Sequence, residues 1–510
     1  MKLARLAETS RRVAEARGRL EKVGLLASAL AAAPPDEVEL AAAYLCGTVP
    51  QPRLNVGWAT LRAALPEPAA EPSLELREVD AAFDRIARAA GAGSAAERQR
   101  LLRELLARAS AEEQRFLSAL IMGELRQGAL EGLVAEAVAK AARVPSERVR
   151  RALMLAGDLP SVAKAALLEG EAGLARHAIQ LFRPVLPMLA ETAEDEAEAL
   201  AELGEAALEW KLDGARVQIH KGGDEVRVFS RRLNDVTAAV PELVEAVRAL
   251  PARELILDGE AIALRPDGTP YPFQVTMRRF GRKLEVDRLR AELPLRQFFF
   301  DLLYLDGAAL LDEPLARRLE ALGAALPAEL VIPRVVTASP DRAREFLRSA
   351  LERGHEGIMA KALDARYEAG RRGAQWLKVK RARTLDLVVL AAEWGHGRRR
   401  GWLSNLHLGA RDPATGGFVM LGKTFKGMTD EMLEWQTRKL LELEVARDDY
   451  TVYVRPELVV EVAFSDVQAS PHYPGGLALR FARVKRYRAD KTAGEADTIA
   501  AVAAIHRGGT

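Results

Sequence analysis

Apolar residues recur three and four apart through the first third of the chain, as in Val23-x-x-Leu26-x-x-x-Leu30 and Leu101-Leu102-x-x-Leu105-Leu106. That spacing gathers them on one face of a helix. The pattern runs from Met1 to about Leu189 and is broken at Pro34-Pro35, Gly47-Thr-Val-Pro50 and Gly91-Ala-Gly93. It predicts an all-α region of roughly ten helices. Pro184-Val-Leu-Pro187 and an acidic, Ala-rich stretch from Glu191 to Glu205 then read as a linker with part helix.

From about Ala207 the period shortens to two. Val217-x-Ile219-His220 and Val226-x-Val228-Phe229 alternate around Gly222-Gly223, which predicts a hairpin. Leu255-Ile-Leu257, Phe298-Phe-Phe300 and Ile358-Met359-Ala360 read as buried strands, with helical segments between them. This α+β texture ends near Arg383. Beyond Thr384 come Leu385-x-Leu387-Val-Val-Leu390, Leu406-x-Leu408, Phe418-Val-Met-Leu421 and Leu458-Val-Val-Glu-Val462, interrupted by one helix from Thr429 to Glu444. A small β-barrel of about five strands is expected there. The predicted organisation is therefore multidomain: residues 1–190 helical, 191–383 α+β, and 384–510 a barrel.

Composition narrows this picture only slightly. The 510 residues are too many for one core, and 49% hydrophobic with 29% charged residues is ordinary for globular protein. Lys+Arg is 74 against Asp+Glu at 72, so the formal charge of +2 creates no global basic field. Any polyanion partner has to meet charge arranged locally. Cys46 is the only cysteine, which excludes an intramolecular disulfide and a cysteine-based metal cluster and fits a reducing, cytoplasmic setting. The start of the chain carries early charge and lacks a signal-peptide core, and no apolar run approaches the ~18 residues needed to span a bilayer. No membrane association is expected.

The chemistry starts at Lys211-Leu-Asp213-Gly214-Ala-Arg216. A lysine amine attacks phosphorus only when unprotonated, and its ordinary pKa is about 10.4, so desolvation or neighbouring cations must lower it. Arg216 supplies such a cation, and Gly214 lets backbone approach closely. Taken alone, the same residues also describe a surface hairpin with solvated charges. The ordered companions downstream change that balance: Ser230-Arg231, Asp258-Gly259-Glu260, Phe300-Asp301, Glu356-Gly357-Ile-Met-Ala-Lys361 and Trp376-Leu-Lys378-Val-Lys380. They offer an aromatic ring for a base, carboxylates for a hard divalent ion, and cations for a triphosphate. The histidines show no metal-ligand spacing, and His355 reads as structural.

These blocks, in this order, resemble the motifs of the covalent nucleotidyltransferase superfamily, and above all the ATP-dependent DNA ligases of archaeal and eukaryotic type. The resemblance covers nearly the whole chain. In the helical third it is carried by Arg53-Leu-Asn-Val-Gly57-Trp58 and by Gly123 to Gly132. In the last third it is carried by Ser465-x-x-x-x-Ser470-Pro471, Leu479-Arg480-Phe-Ala-Arg483 and the closing Arg488-Ala-Asp490-Lys491. It implies a helical DNA-binding domain, a nucleotidyltransferase domain and an OB-fold domain. It implies Lys211 as the nucleophile that forms lysyl-AMP, Glu209 at the adenine edge and Phe300 stacked on the ring. Arg216, Arg231 and Glu260 would surround ribose and phosphates, Trp376 would line the pocket, and Lys378 and Lys380 would hold the α-phosphate. Glu260 and Glu356 would bind Mg²⁺ or Mn²⁺, and Arg488, Asp490 and Lys491 would orient the leaving pyrophosphate. Arg126 and Gly128 are the implied DNA contacts of the helical domain. Apart from the resemblance, the basic run Arg398-Arg399-Arg400 beside Trp402 reads either as a DNA-backbone contact or as a solvated loop. Arg232 departs from the Asn that many relatives carry after the Ser-Arg pair.

The implied partner is nicked double-stranded DNA, with a sliding clamp as a further one, and the implied state is a monomer. Three rivals share parts of the pattern. An RNA ligase or capping-type guanylyltransferase shares Lys-x-Asp-Gly but not the helical block and the closing Arg-x-Asp-Lys. A decayed, DNA-binding scaffold would have lost catalytic side chains that are all present here. A NAD-dependent ligase would bring a zinc-binding cysteine set, which Cys46 alone cannot supply.

Overall fold

A computed structural model describes residues 1–125, 131–280, 285–369, 372–380 and 383–507. Contacts divide the chain into two compact units, Met1–Val379 and Lys380–Thr510. The first unit thus holds both the helical stretch and the α+β stretch that the periodicity separates.

Among the described residues, ten helices lie between Leu3 and Ala175, ahead of the first strand. Their ends are set by ordinary cap chemistry. Ser110 and Glu113 form a reciprocal capping box at the start of Ala111–Met122, and Gly123 closes that helix in the left-handed conformation at φ 66°. The buried faces are the apolar positions of the sequence pattern, with Leu26, Leu30, Leu102, Leu106 and Leu117 at the centre.

The stretch entering the α+β region is not a free linker. Val185 N–H donates to Gln218 Oε1 at 2.8 Å, and Gln218 Nε2 donates to the Val185 carbonyl at 3.2 Å. Phe182 N–H donates to His220 Nδ1 at 2.9 Å. His220 therefore carries its proton on Nε2, which lies 2.9 Å from Gln218 Oε1. Burial pushes the His220 imidazole down to about 3, so it stays neutral. The acidic stretch becomes a short strand and the helix Glu196–Leu203, capped by Asp195.

Two five-stranded sheets make up the rest of the first unit. The strands are β1 (Leu189–Ala193), β2 (Ala206–Lys211), β3 (Ala215–Gly222), β4 (Glu225–Ser230), β5 (Glu254–Ala263), β6 (Leu295–Leu305), β7 (Ala308–Ala309), β8 (Arg334–Thr337), β9 (Gly357–Ala362) and β10 (Arg372–Lys380). One sheet has the order β1-β10-β9-β2-β8, and the other β4-β3-β5-β6-β7. The hairpin read around Gly222-Gly223 is the β3–β4 pair. Lys211 ends a strand of one sheet and Ala215 begins a strand of the other, so the Leu212–Gly214 turn carries the chain between sheets.

The second unit contains β11 (Arg383–Trp394), β12 (Leu403–Asp412), β13 (Gly417–Thr424), β14 (Glu444–Arg447), β15 (Thr451–Val454), β16 (Val459–Phe464), β17 (Asp466–Ala469), β18 (Leu477–Arg480) and β19 (Arg483–Tyr487). Seven of these form one sheet in which the long β11 pairs with β12, β15 and β16, while β17 and β18 form a separate pair. The expectation of about five strands missed the short ones. β14, β15, β17 and β18 have four residues each, too few for alternation to declare itself. The helix Asp430–Glu442 starts at Thr429, whose Oγ1 accepts from Met432 N–H at 3.2 Å.

Candidate active site

The turn that changes sheets is tight because Gly214 leaves no room for more. A Cβ there would lie 2.5 Å from the Ala261 carbonyl oxygen and 2.9 Å from Glu260 Cγ. Gly259 is constrained in the same way, 2.7 Å from the Phe299 ring. The two glycines of the Lys-x-Asp-Gly and Asp-Gly-Glu blocks thus let β3, β5 and β6 close up behind the lysine.

Lys211 Nζ forms an ion pair with the Glu356 carboxylate, and both side chains are largely buried. The backbone reinforces the pair, since Glu356 N–H donates to the Lys211 carbonyl at 3.1 Å. Glu260 sits opposite Arg216 across β3 and β5. Burial raises its carboxyl to about 8, against the pull of the Lys211 and Arg216 cations and with a further push from Asp258 and Asp213. Glu356 thus pairs with the lysine directly, and Glu260 lies close enough to feel its charge.

Arg216 is fixed by a fork-to-fork pair with Asp258, at 3.0 Å from Nε and 2.7 Å from Nη2, and by donation to the Met188 carbonyl at 2.7 Å. Its guanidinium lies 5.4 Å from the Phe300 ring centroid and 5.7 Å from that of Trp376, which meet edge to face at 6.0 Å. Lys361 Nζ stands 4.3 and 4.1 Å from the same two rings. Burial draws the Lys361 amine below its ordinary value, opposed chiefly by Glu209. Glu209 is itself buried between Lys361 at 2.6 Å and Arg334 Nε at 2.8 Å.

The expected residues do not all gather in one place. Lys211, Glu356, Glu260, Arg216, Phe300, Trp376 and Glu209 are brought together by the contacts above. Lys378 and Lys380 lie on β10, with Lys378 in register with Thr192 of β1. Arg231 is exposed beyond the end of β4 and forms no ion pair among the described residues. In the second unit, Arg488 pairs with Asp386 at 2.8 Å and Asp490 at 2.7 Å, and Lys491 with Asp386 at 2.6 Å. The hydrogen bond from Arg488 holds the Asp490 carboxyl well below the usual range. Arg398 pairs with Asp430 at 3.3 Å, and Arg399 donates to the Phe425 carbonyl. Arg126 and Gly128 lie outside the described residues.

Comparison with known proteins assigns this arrangement to a family. A model described as ATP dependent DNA ligase domain matches residues 187–380, one described as ATP dependent DNA ligase C terminal region matches 399–491, and one described as DNA ligase N terminus matches 59–139. A probable DNA ligase of Anaeromyxobacter dehalogenans is 64% identical over 100% of both chains. The chain belongs to the ATP-dependent DNA ligase family. A probable DNA ligase of Sorangium cellulosum is 60% identical over 100% of this chain and 96% of its own, and one of Mycolicibacterium gilvum 56% over 100% of both. A solved structure called Pmar-Lig_Pre matches in fold with a TM-score of 0.64 at 21% identity, over 95% of this chain and 99% of its own.

Several residues around this candidate site escape a reading of the sequence. Asp258 and Lys361 stand inside recognisable blocks, yet nothing in a linear pattern says that one orients Arg216 and the other faces two aromatic rings. Arg334 and Tyr367 lie outside every block. His355, expected to be structural, packs on Trp210 at 5.1 Å, and burial draws it down to about 4.

Proposed function

We propose that the chain seals 5′-phosphate/3′-hydroxyl nicks in duplex DNA through a lysyl-AMP intermediate. The observation that carries this reading is Lys211 paired with Glu356 and close to Glu260 at the crossing point of two sheets, beside the Arg216–Phe300–Trp376 cluster. First the deprotonated Lys211 Nζ attacks the α-phosphorus of ATP, forming a P–N bond while the α–β P–O bond breaks and pyrophosphate leaves. The 5′-phosphate oxygen of the nick then takes AMP from the lysine, restoring the amine. Finally the 3′-hydroxyl attacks that 5′-phosphorus, loses its proton and expels AMP.

The residues contribute mainly positioning and charge. The Lys211 amine is engaged by the Glu356 carboxylate, so attack requires that carboxylate to be drawn off. Glu356 and Glu260 would hold a divalent ion such as Mg²⁺, for which two carboxylates plus water and phosphate oxygens are a fitting donor set. When bound, that ion neutralises phosphate charge. Phe300 and Trp376 supply an apolar wall for the base, and Glu209 an acceptor near its edge. Lys378 and Lys380 are assigned to the α-phosphate, Arg231 to ribose and phosphate, and Arg488, Asp490 and Lys491 to the pyrophosphate.

For DNA, we assign the helical region and, on the second unit, the surface around Phe425 and Phe481. These rings are 56% and 60% exposed. Lys426 Nζ lies 5.8 and 5.9 Å from them, and the Arg480 guanidinium 5.1 Å from Phe481. Exposed aromatics interleaved with cations suit a nucleic-acid surface.

Incubation with α-labelled ATP and Mg²⁺ tests the central step. Wild-type protein should take up a covalent AMP label, Lys211→Ala should take up none, and only labelled enzyme should seal nicked duplex without further ATP. An unlabelled wild type, or unchanged labelling of the variant, rejects the mechanism.

A further inference from the structure

Tyr367 is fully buried, on the segment between β9 and β10, and its hydroxyl is saturated. It donates to Asp258 Oδ2 at 2.7 Å and accepts from Met188 N–H at 3.2 Å and from Arg216 Nη2 at 3.3 Å. One donated and two accepted bonds are all that a phenol can make. Arg216 in turn grips the carbonyl of the same Met188 and both oxygens of Asp258. The four groups form a closed polar ring inside an apolar cluster that includes Phe300, Trp376 and Met154. The Tyr367 ring also meets Trp376 edge to face at 6.1 Å.

A residue needed only to fill this space would be phenylalanine. The hydroxyl adds a fixed acceptor for Arg216 and a fixed donor for Asp258, so both partners of the Nη2–Oδ2 limb of the fork are held. Two further contacts hold Tyr367 itself in place. Its N–H donates to the Leu311 carbonyl at 2.9 Å, and Ala369 N–H donates to Met154 Sδ at 3.2 Å.

We infer that Tyr367 is a positioning residue for nucleotidyl transfer: bonded to Arg216 directly and to its partner Asp258, it fixes the Arg216 guanidinium beside the Phe300–Trp376 wall and so sets how the site accepts a nucleoside triphosphate. The inference rests on the nucleotide site proposed above. Tyr367 touches neither substrate nor reacting atoms; its effect passes through Arg216.

The test is single-turnover self-adenylation of the full chain with α-labelled ATP, comparing wild type, Tyr367→Phe, Arg216→Lys and the double variant. Tyr367→Phe keeps the ring and removes one oxygen. A hydrogen bond to a charged group is strong enough for its loss to raise the KM for ATP roughly ten-fold, with the maximal rate changed less than about three-fold. In the Arg216→Lys background the same change should add less than roughly two-fold, because its route is already broken. Asp258→Asn, which keeps volume but weakens the fork, should reproduce the KM effect. An unchanged KM for Tyr367→Phe, or full additivity with Arg216→Lys, overturns the inference. Wild-type protein that takes no label at all overturns the site reading instead, a different and recognisable result.

Discussion

Two titratable side chains of the first unit give stability opposite responses to pH. Glu260 has its carboxyl raised to about 8 by burial. Its contribution is full below the ordinary carboxylate range and is lost as pH rises through about 8, because the folded state must then carry a poorly hydrated charge. His220 is held down to about 3. Its contribution is present above about 6.5 and is lost as pH falls, because the unfolded imidazole takes up a proton that the folded one refuses. Denaturant midpoints from pH 5 to 8.5 should therefore fall less steeply with rising pH in Glu260→Gln than in wild type. His220→Gln should flatten the acid side. Parallel curves for Glu260→Gln and wild type would contradict the assigned shift. At this scale the sequence was informative where chemistry is compressed into a short block: Lys211, Glu260 and Glu356 are legible because an amine and two carboxylates recur with glycine beside them. Tyr367 and Arg334 were not, because their meaning depends on which strands face each other.

At the scale of elements, β6 shows how one strand serves two purposes. Phe300 faces the aromatic cluster, while Asp301 points the other way into a pair with Arg318, both side chains being 0% exposed. Arg318 also donates to the Glu313 carbonyl at 2.6 Å and the Ala365 carbonyl at 2.9 Å. The pair thus ties the helix Leu315–Ala325 and the Tyr367 segment to the strand that carries the aromatic wall. Removing one partner of a buried pair strands the other, so Asp301→Ala should cost about 3–5 kcal/mol in the urea unfolding free energy. A loss within ~0.5 kcal/mol, as for an ordinary surface substitution, would show that the pair holds nothing. The strands themselves were visible as apolar runs, as was the Gly222-Gly223 hairpin. The four-residue strands of the second unit were not, since four positions cannot distinguish alternation from chance. The tethering of Phe182 and Val185 was hidden too, because a proline-bearing stretch reads alike whether tied or loose.

For the molecule as a whole, a formal charge of +2 means that DNA is met by local arrangements of cations. Contacts of that kind release counterions. Nick sealing should accordingly fall steeply between 50 and 200 mM salt, by roughly 10³-fold in DNA affinity for six or more phosphate contacts. Self-adenylation, which involves no duplex, should change little over the same range. Equal salt dependence of the two activities would argue against the division of labour proposed here. The alternation of helical and strand texture, and the order of the blocks, were legible at this scale. The joining of the helical stretch and the two sheets into one compact unit was not, because it depends on contacts between residues far apart in sequence.

One such contact bears on where this enzyme can be cut or recombined. Met154 and Leu155, at the end of the helix Ser146–Ala156, belong to the same apolar cluster as Phe300 and Trp376. The apolar cluster that holds Phe300 and Trp376 thus begins inside the helical region, about one helix ahead of the first strand. A chimera joined at the onset of the sheets would leave that cluster without Met154 and Leu155. One joined upstream of Ser146 would keep both.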